Sequence, residues 1–542
     1  MAVTPLQDDL VHRVNVGDTL TRTADRMPAK VALVDGERRI TYRELDDWTN
    51  RLANALLDRG YAPGDSLALA SGNSAEFLAV YYACAKTGVV CVPLNLGWRA
   101  DEAAYVLDHA GVRGVVVEAQ LADWVGAALD GLGGVTDVVV APGTGGTVPD
   151  TLADRSTTTI DAFAGTDTRP VEVLIGDRAP MTYLYTSGTT SAPKGVVGHH
   201  LAIYLQSLTM ALQSRWTVDD RFMAMMPMFH TGQLNGFCTP AVLLGATLVV
   251  HRGFDADRLL DTIETERITQ LFGLPMMYRA LTERTDIGSR DLSSLRRACY
   301  AMAPMPEQQL RRAIEVLGCE FFLLFGQTEM SPTTTLFQPE YQLTHAGSVG
   351  TPTVNVRVAL MGPDGAMLGP GEEGEIVYRS PQTLTRYLHD EEATEKAFAG
   401  GWFHSGDIGR FDDDGMLWFA DRSKDVIKTG GENVASIEVE RALYAADPRI
   451  AEVVAVGLPH EHWTEAITAV VVARAGETID PAELLTAVRG HLDGYKVPKA
   501  VVVLDDLPRT STGKVQKNVL RQQLHDHYTH EHQAHDGSGA RA

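Results

Sequence analysis

Between residues 41 and 140 the hydrophobic period of the chain switches back and forth, and this alternation restricts the fold more than any single residue does. Thr41-Tyr42-Arg43-Glu44-Leu45 opens a run to Arg59 in which Leu45, Trp48, Leu52, Leu56 and Leu57 recur at helical spacing. A strand-like segment follows from Ser66 to Ala70, then an apolar helical run from Ala75 to Thr87 stopped by Gly88, then a strand from Val89 to Leu94. Val112 to Glu118 and Val135 to Val140 are further β-rich segments, with a helical pattern from Ala119 to Leu129 between them. A strand that returns to its own sheet through a helix runs parallel to its neighbour. The expected class is therefore α/β, with doubly wound parallel sheets covered by helices on both faces.

A second set of such units spans Arg221 to Phe325, and a helix is expected from about Leu201 to Trp216. The stretch from Ala141 to Pro180, rich in Thr, Gly, Asp and Pro, reads as a loosely packed connection. From Gly347 to Arg422 short strands are broken by turns such as Pro363-Asp364-Gly365 and Asp413-Asp414-Gly415, as in a small distorted β-barrel. Past Lys424 comes a small α+β unit with helical patterns at Ile437 to Ala445 and Pro481 to Leu492, interleaved with strands. At 542 residues more than one domain is required. The expected division is a large domain of residues 1–422, a small mobile one of 423–528 and a disordered tail of 529–542.

The formal charge of −23 excludes nucleic acid and anionic membrane surfaces as natural partners, so an anionic ligand needs a locally basic site. Five cysteines (Cys84, Cys91, Cys238, Cys299, Cys319) lack metal-ligand or disulfide-scaffold spacing and read as core residues of a reducing compartment. The first residues hold no apolar signal segment, and no apolar run approaches the ~20 residues of a membrane span. A cytoplasmic protein is expected.

Chemistry first shows itself at Tyr185-Thr186-Ser187-Gly188-Thr189-Thr190-Ser191-Ala192-Pro193-Lys194-Gly195, directly after the apolar run Met181 to Tyr185. Hydroxyls, glycines and one lysine in a single loop supply the donors and the cation that cradle an oligophosphate. The loop is not a Walker A motif, because no G-x-x-x-x-G-K-[ST] register fits it, and a solvated Ser/Thr/Gly linker has the same composition. Further on, Phe325-Gly326-Gln327-Thr328-Glu329 ends an apolar strand in a turn bearing a hydroxyl and a carboxylate, at the end of a parallel strand where ligands bind in open α/β sheets. Glu329 could hold a Mg²⁺ that bridges phosphates, although a lone G-x-T-E has little specificity. Gly401-Trp402-Phe403-His404-Ser405-Gly406-Asp407 sets a short carboxylate where it could chelate two vicinal hydroxyls. Asp421-Arg422-Ser423-Lys424-Asp425, Lys428-Thr429-Gly430-Gly431-Glu432-Asn433 and Pro508-Arg509-Thr510-Ser511-Thr512-Gly513-Lys514 follow, the last carrying a lysine on a loop that could swing.

In this order the motifs YTSGTTSAPKG, FGQTE, GWFHSGD, DRSKDVIKTGGENV, YKVPK and PRTSTGK closely resemble those of the adenylate-forming superfamily of acyl-CoA synthetases, adenylation domains and luciferase. The resemblance covers roughly Leu20 to Leu524. It implies an ATP-dependent acid–CoA ligase that makes an acyl-AMP with release of pyrophosphate and then passes the acyl group to the thiol of CoA. It implies that Thr186, Ser187, Gly188, Thr189, Thr190 and Lys194 hold the β- and γ-phosphates of ATP. Gln327, Thr328 and Glu329 match residues near the α-phosphate and Mg²⁺, with Thr186 as a second metal contact. Asp407 and Arg422 match the ribose pair, Lys514 the lysine on the attacking carboxylate, and Lys424 the hinge. Lys428, Gly430, Gly431 and Glu432 match the loop on the CoA side, and His230 a position at the edge of the acyl pocket.

Two departures stand out. Tyr300-Ala301-Met302-Ala303-Pro304 replaces a glycine pair common in the family beside the acyl tunnel, which argues against a long-chain substrate. Trp463-Thr464-Glu465 carries Thr464 where Gly is commoner. His199 and His200 join no cluster of ligating residues and are not metal ligands. The methionines Met223, Met225, Met226 and Met228 read as core, or as an adaptable wall of the acyl pocket. Expected partners are a small-molecule acid, ATP and CoA, with a homodimer allowed. A carrier-protein thiol or an amine as acceptor, a non-carboxylate oxyanion such as nitrite as substrate, and a non-catalytic nucleotide-binding protein remain the alternatives.

Overall fold

The structure, a computed structural model, describes residues 3–186, 193–302 and 305–528. The helix Tyr42–Asp58 starts at a capping box in which Thr41 and Glu44 satisfy each other's backbone N–H groups, and it buries Leu45, Trp48, Leu52 and Leu56. The helix Ala75–Thr87 is buried at every residue, as its uniformly apolar sequence requires, and ends on Gly88 at φ 73°.

Contacts divide the chain into two compact units, residues 1–358 with 378–403 and residues 359–377 with 404–542. The first unit holds two large sheets. One has eight strands, in the order Lys194–His199, Pro180–Thr186, Val90–Pro93, Ser66–Ala70, Val112–Glu118, Asp137–Ala141, Arg155–Thr159, Thr151–Leu152. Its interior pairings are parallel and its two edge pairings antiparallel. The other has nine strands, with a parallel centre running from Glu320–Gly326 through Arg297–Tyr300, Gln270–Gly273, Arg221–Ala224 and Thr247–Val250 to Val31–Asp35. The doubly wound α/β expectation holds. The five cysteines are buried and unpaired, as core residues.

Two segments fold differently from the reading of the sequence. Within the expected connection 141–180 lie a short hairpin and the strand Arg155–Thr159, which extends the eight-stranded sheet in parallel with Asp137–Ala141. Its consecutive threonines suit a half-exposed position beside the two-residue edge strand Thr151–Leu152, and turn composition masked that signal. The strand Lys194–His199 was also not anticipated. It pairs antiparallel with Pro180–Thr186, bringing Lys194 opposite Thr186.

The second unit is mixed α+β. Arg357–Met361, Glu373–Arg379, Phe403–Phe411 and Leu417–Arg422 form a four-stranded sheet in that order where a small barrel was expected. A five-stranded sheet follows, built on the long antiparallel pair Ile450–His460 and Thr464–Ala473 and packed on the helices Ser436–Ala446 and Pro481–Val488. No helix among the described residues is long and apolar enough to cross a membrane. The expected tail of residues 529–542 lies outside the described residues.

Candidate active site

In the first unit the phosphate-type loop is carried by a hairpin. Thr186 ends one strand and Lys194 begins the next as cross-strand partners. The intervening Ser187, Gly188, Thr189 and Thr190, expected to grip phosphates, lie outside the described residues. The Lys194 ammonium stands 3.6 Å from Asp390 and over the Tyr387 ring, 5.2 Å from its centre. Tyr387 also donates its hydroxyl to Glu329 Oε1 at 3.0 Å. One side chain thus spans from the lysine of the phosphate loop to the carboxylate of the FGQTE turn. Tyr387 carries no sequence signal, because its place beside Val196 arises from a tertiary β-bridge.

The turn that bears Thr328 and Glu329 is held from several sides. Gln327 N–H donates to Pro332 O at 2.9 Å, and Leu384 N–H donates to Glu329 O at 2.7 Å. Gln382, fully buried, donates to Met330 O and Thr333 O at 2.9 and 2.7 Å. A Cβ on Gly326 would fall 2.0 Å from Pro332 O, so only glycine lets the two backbones approach. His230 lies elsewhere in this unit, half-buried, and caps the short helix Thr231–Gln233 by accepting the Gly232 N–H on Nδ1 at 3.1 Å.

In the second unit Asp407 and Arg422 face each other on adjacent antiparallel strands, with Nε and Oδ1 3.3 Å apart. Asp407 is buried at 4% exposure. Its turn is shaped by Glu375, which accepts the Gly406 N–H at 2.9 Å and pairs with His404 at 2.8 Å. Lys514, remote in sequence, comes into the electrostatic range of this pair. The residue as a whole is solvent-exposed. Desolvation, then the nearby Arg422, pushes its pKa down to about 8, Lys424 acts in the same direction, and Asp407 and Asp425 oppose the shift.

The loop that bears Lys514 is more constrained than a free swinging loop. Lys514 N–H and C=O bond to Thr510 at 3.1 and 2.8 Å, and Arg509 pairs with Glu452. Lys424 sits in the turn after Arg422, where desolvation lowers its pKa and Arg422 adds to the shift. Thr429 and Glu432 flank a two-residue hairpin turn in which Gly430 and Gly431 have φ 60° and 88°, the left-handed pair that such a turn demands, and Lys428 lies one pair further out opposite Asn433. Trp463 packs beneath it, with its carbonyl accepting the Gly430 N–H at 2.8 Å.

Both departures from the family's glycines fall on left-handed backbone. Met302 has φ 70° and Thr464 φ 65°. The chain therefore keeps a conformation that glycine adopts freely, at a cost of roughly 1–2 kcal/mol per residue. Ala303 and Pro304 are outside the described residues.

The model of the AMP-binding enzyme family matches residues 20–388, and that of the AMP-binding enzyme C-terminal domain matches residues 438–514. The chain is 35% identical over 510 residues to an indoleacetate–CoA ligase of Aromatoleum aromaticum, covering 94% of this chain and 98% of that protein. It is 34% identical over 509 residues to a feruloyl-CoA synthase of an Amycolatopsis species, covering 94% and 99%. Among solved structures, ATP-bound MatB from Rhodopseudomonas palustris superposes with a TM-score of 0.85 at 30% identity, covering 95% of this chain and 100% of that one. Fold and family together define an AMP-forming ligase. The chain belongs to the AMP-binding enzymes of the adenylate-forming superfamily.

Proposed function

We propose that this ligase adenylates a compact carboxylic acid and transfers the acyl group to CoA. The observation that supports the reading is the Asp407–Arg422 pair, 3.3 Å apart on adjacent strands, with both charges acting on Lys514. Asp407 accepts two vicinal ribose hydroxyls, Arg422 orients that carboxylate, and Lys514 meets the acid as it attacks the α-phosphate. Thr186 and Lys194 grip the leaving pyrophosphate. The Glu329 carboxylate, which accepts the Tyr387 hydroxyl on Oε1, and the hydroxyl of Thr328 beside it in sequence are oxygen donors of the kind that suits Mg²⁺, a hard cation that takes one or two carboxylates and completes its shell with phosphate and water. When bound it neutralises phosphate charge, and Glu329 with Thr186 would hold it. The CoA thiol approaches along the Lys428–Glu432 hairpin. The names of the relatives, acting on indoleacetate and ferulate, support an aryl-bearing acid and CoA as acceptor. A cytoplasmic location follows from the reaction's substrates.

Pyrophosphate exchange across a panel of acids, with and without CoA, tests the reading. Exchange that depends on an aryl or short acid, together with a CoA thioester product, supports it. An adenylate that forms but never yields a thioester moves the acceptor to a carrier protein or an amine. Exchange with nitrite alone moves the substrate outside carboxylates, and no exchange with any acid ends the proposal.

Two variants probe its parts. We propose Lys424 as the pivot between a large domain of residues 1–422 and a small one of 423–528. Lys424→Pro, which fixes φ, then impairs one half-reaction far more than the other, and equal loss in both removes the pivot role. Met302 packs against the large core, its methyl group 3.5 Å from where a Gly232 Cβ would lie, next to His230 and Phe272. Met302→Gly relieves the left-handed strain and opens this space. The ratio of kcat/KM for a longer over a shorter acid then rises by about tenfold or more, and an unchanged ratio shows that Met302 does not border the acid.

A further inference from the structure

The segment that leads to His230 leaves its sheet early. The strand Arg221–Ala224 ends at Ala224, and Met225 to Phe229 continue without a neighbouring strand to bond them. Their buried backbone groups still need partners. Asn73 pairs two of them, the Met226 carbonyl and the Met228 N–H. This residue, 3% exposed, lies between the strand Ser66–Ala70 of the eight-stranded sheet and the helix Ala75–Thr87. Its Nδ2 donates to Met226 O at 2.8 Å, to His251 O at 2.9 Å and, at longer range, to Ala224 O at 3.4 Å. Its Oδ1 accepts the Met228 N–H at 2.8 Å. The carboxamide thus takes the place of a missing strand, joining one sheet to the ends of two parallel strands of the other. From the opposite side Gln233 Oε1 accepts the Met226 N–H at 3.2 Å.

Neighbouring groups brace the same seam without touching this segment. Glu118, 1% exposed, accepts from Arg252 at 2.8 and 2.9 Å and from the Ser71 hydroxyl at 2.8 Å. These bonds fix the frame, whereas those of Asn73 fix the path of residues 226–228. Two residues later His230 N–H bonds to Pro227 O at 3.1 Å, and the His230 ring caps the next helix. The position of the imidazole is therefore set by a path that Asn73 defines.

We propose that Asn73 is a positioning residue for the acid-binding half of the site. It holds the methionine-bearing segment 225–228 and His230 in place without touching substrate, and so sets which acids are accepted. The inference rests on the reading that His230 borders the acid. Asn73→Asp keeps size and the acceptor for Met228, but it sets carboxylate oxygen against the carbonyls of Met226 and His251.

Steady-state kinetics well below the melting transition provide the test. In Asn73→Asp the KM for the acid is expected to rise by about tenfold or more, since a buried polar contact has been lost. The KM for ATP stays within about twofold, and the order of preference among acids changes. Ser71→Ala, in the same seam, lowers the melting temperature and leaves the acid KM alone. Should Asn73→Asp fail to fold, Gln233→Met removes the opposite hold on Met226 and is expected to give the same acid-specific effect. Parallel rises in both KM values, or a lowered melting temperature with unchanged acid preference, overturn the proposal. His230→Ala separates the two levels. If it leaves acid KM and preference unchanged, the acid-site reading fails. If it changes them while Asn73→Asp and Gln233→Met do not, only the positioning role fails.

Discussion

Replacing Lys514 with alanine lowers acid-dependent pyrophosphate exchange by two decades or more. Adenylation brings a carboxylate anion against a phosphate anion, so the repulsion and the charge that develops both call for a cation already in place. A preorganised group of this kind stabilises a transition state by ~3 kcal/mol, which is about two decades in rate. The second half-reaction, started from acyl-AMP supplied directly, lacks that meeting of anions and keeps most of its rate. The lysine also leaves a mark in pH. Its pKa is pushed down to about 8 by desolvation and then by Arg422. In the free enzyme the ammonium is then lost as pH rises through about 8, so kcat/KM for adenylation declines on the alkaline side. Lys514→Arg, always charged, removes that limb whatever its effect on rate. Near wild-type exchange in Lys514→Ala would refute the assignment.

The second large effect is loss of stability in mild acid. His199 and His200 are completely buried and His251 is 4% exposed. Burial lowers their pKa values to about 4, about 3 and about 4. The geometry requires neutral rings: His199 Nδ1 accepts the Ala202 N–H while Nε2 faces Thr383 O, and His200 Nδ1 accepts the Val16 N–H. In the unfolded chain each histidine takes up a proton near pH 6.5. Below that pH the unfolded state binds protons that the fold refuses, so stability falls with pH until the folded pKa values are reached. Each histidine costs about 1.4 kcal/mol per pH unit over this window. Three together cost at most about 10 kcal/mol by pH 4, comparable with a whole stability margin of about 5–15 kcal/mol. The melting temperature should fall steeply from pH 6.5 to 5. In His200→Gln the slope should drop by about a third, a glutamine having no proton to gain. A flat profile between pH 7 and 5 would show that these rings are not held neutral.

These two predictions differ in what made them visible. Lys514 was named from the sequence, since a lysine on a Thr/Ser/Gly loop belongs to a motif whose order along the chain carries the information. Its lowered pKa was not, because desolvation and the charges of Arg422 and Lys424, against those of Asp407 and Asp425, reach it through space. His199 and His200 could be dismissed as metal ligands from sequence, but whether they titrate depends on burial. The strand Lys194–His199 went unread, because a half-polar stretch directly after a glycine-rich loop has no clear period and is decided by its pairing with Pro180–Thr186. Tyr387 and Asn73 belong to no motif. One side chain connects Glu329 with Lys194, the other connects two sheets, and such roles exist only once distant segments are adjacent.

By itself the sequence determined the α/β class, most helix and strand positions and the family, since these rest on local periodicity and on motifs read in order. It also marked Met302 and Thr464 as departures. Only the tertiary structure showed that both stand on left-handed backbone at φ 70° and 65°, and so hold a strained conformation in place of glycine. The reason is physical. Hydrophobic pattern and turn chemistry act between near neighbours along the chain, whereas backbone strain, desolvation and the hydrogen bonds of a buried carboxamide are fixed by what packs around a residue from elsewhere.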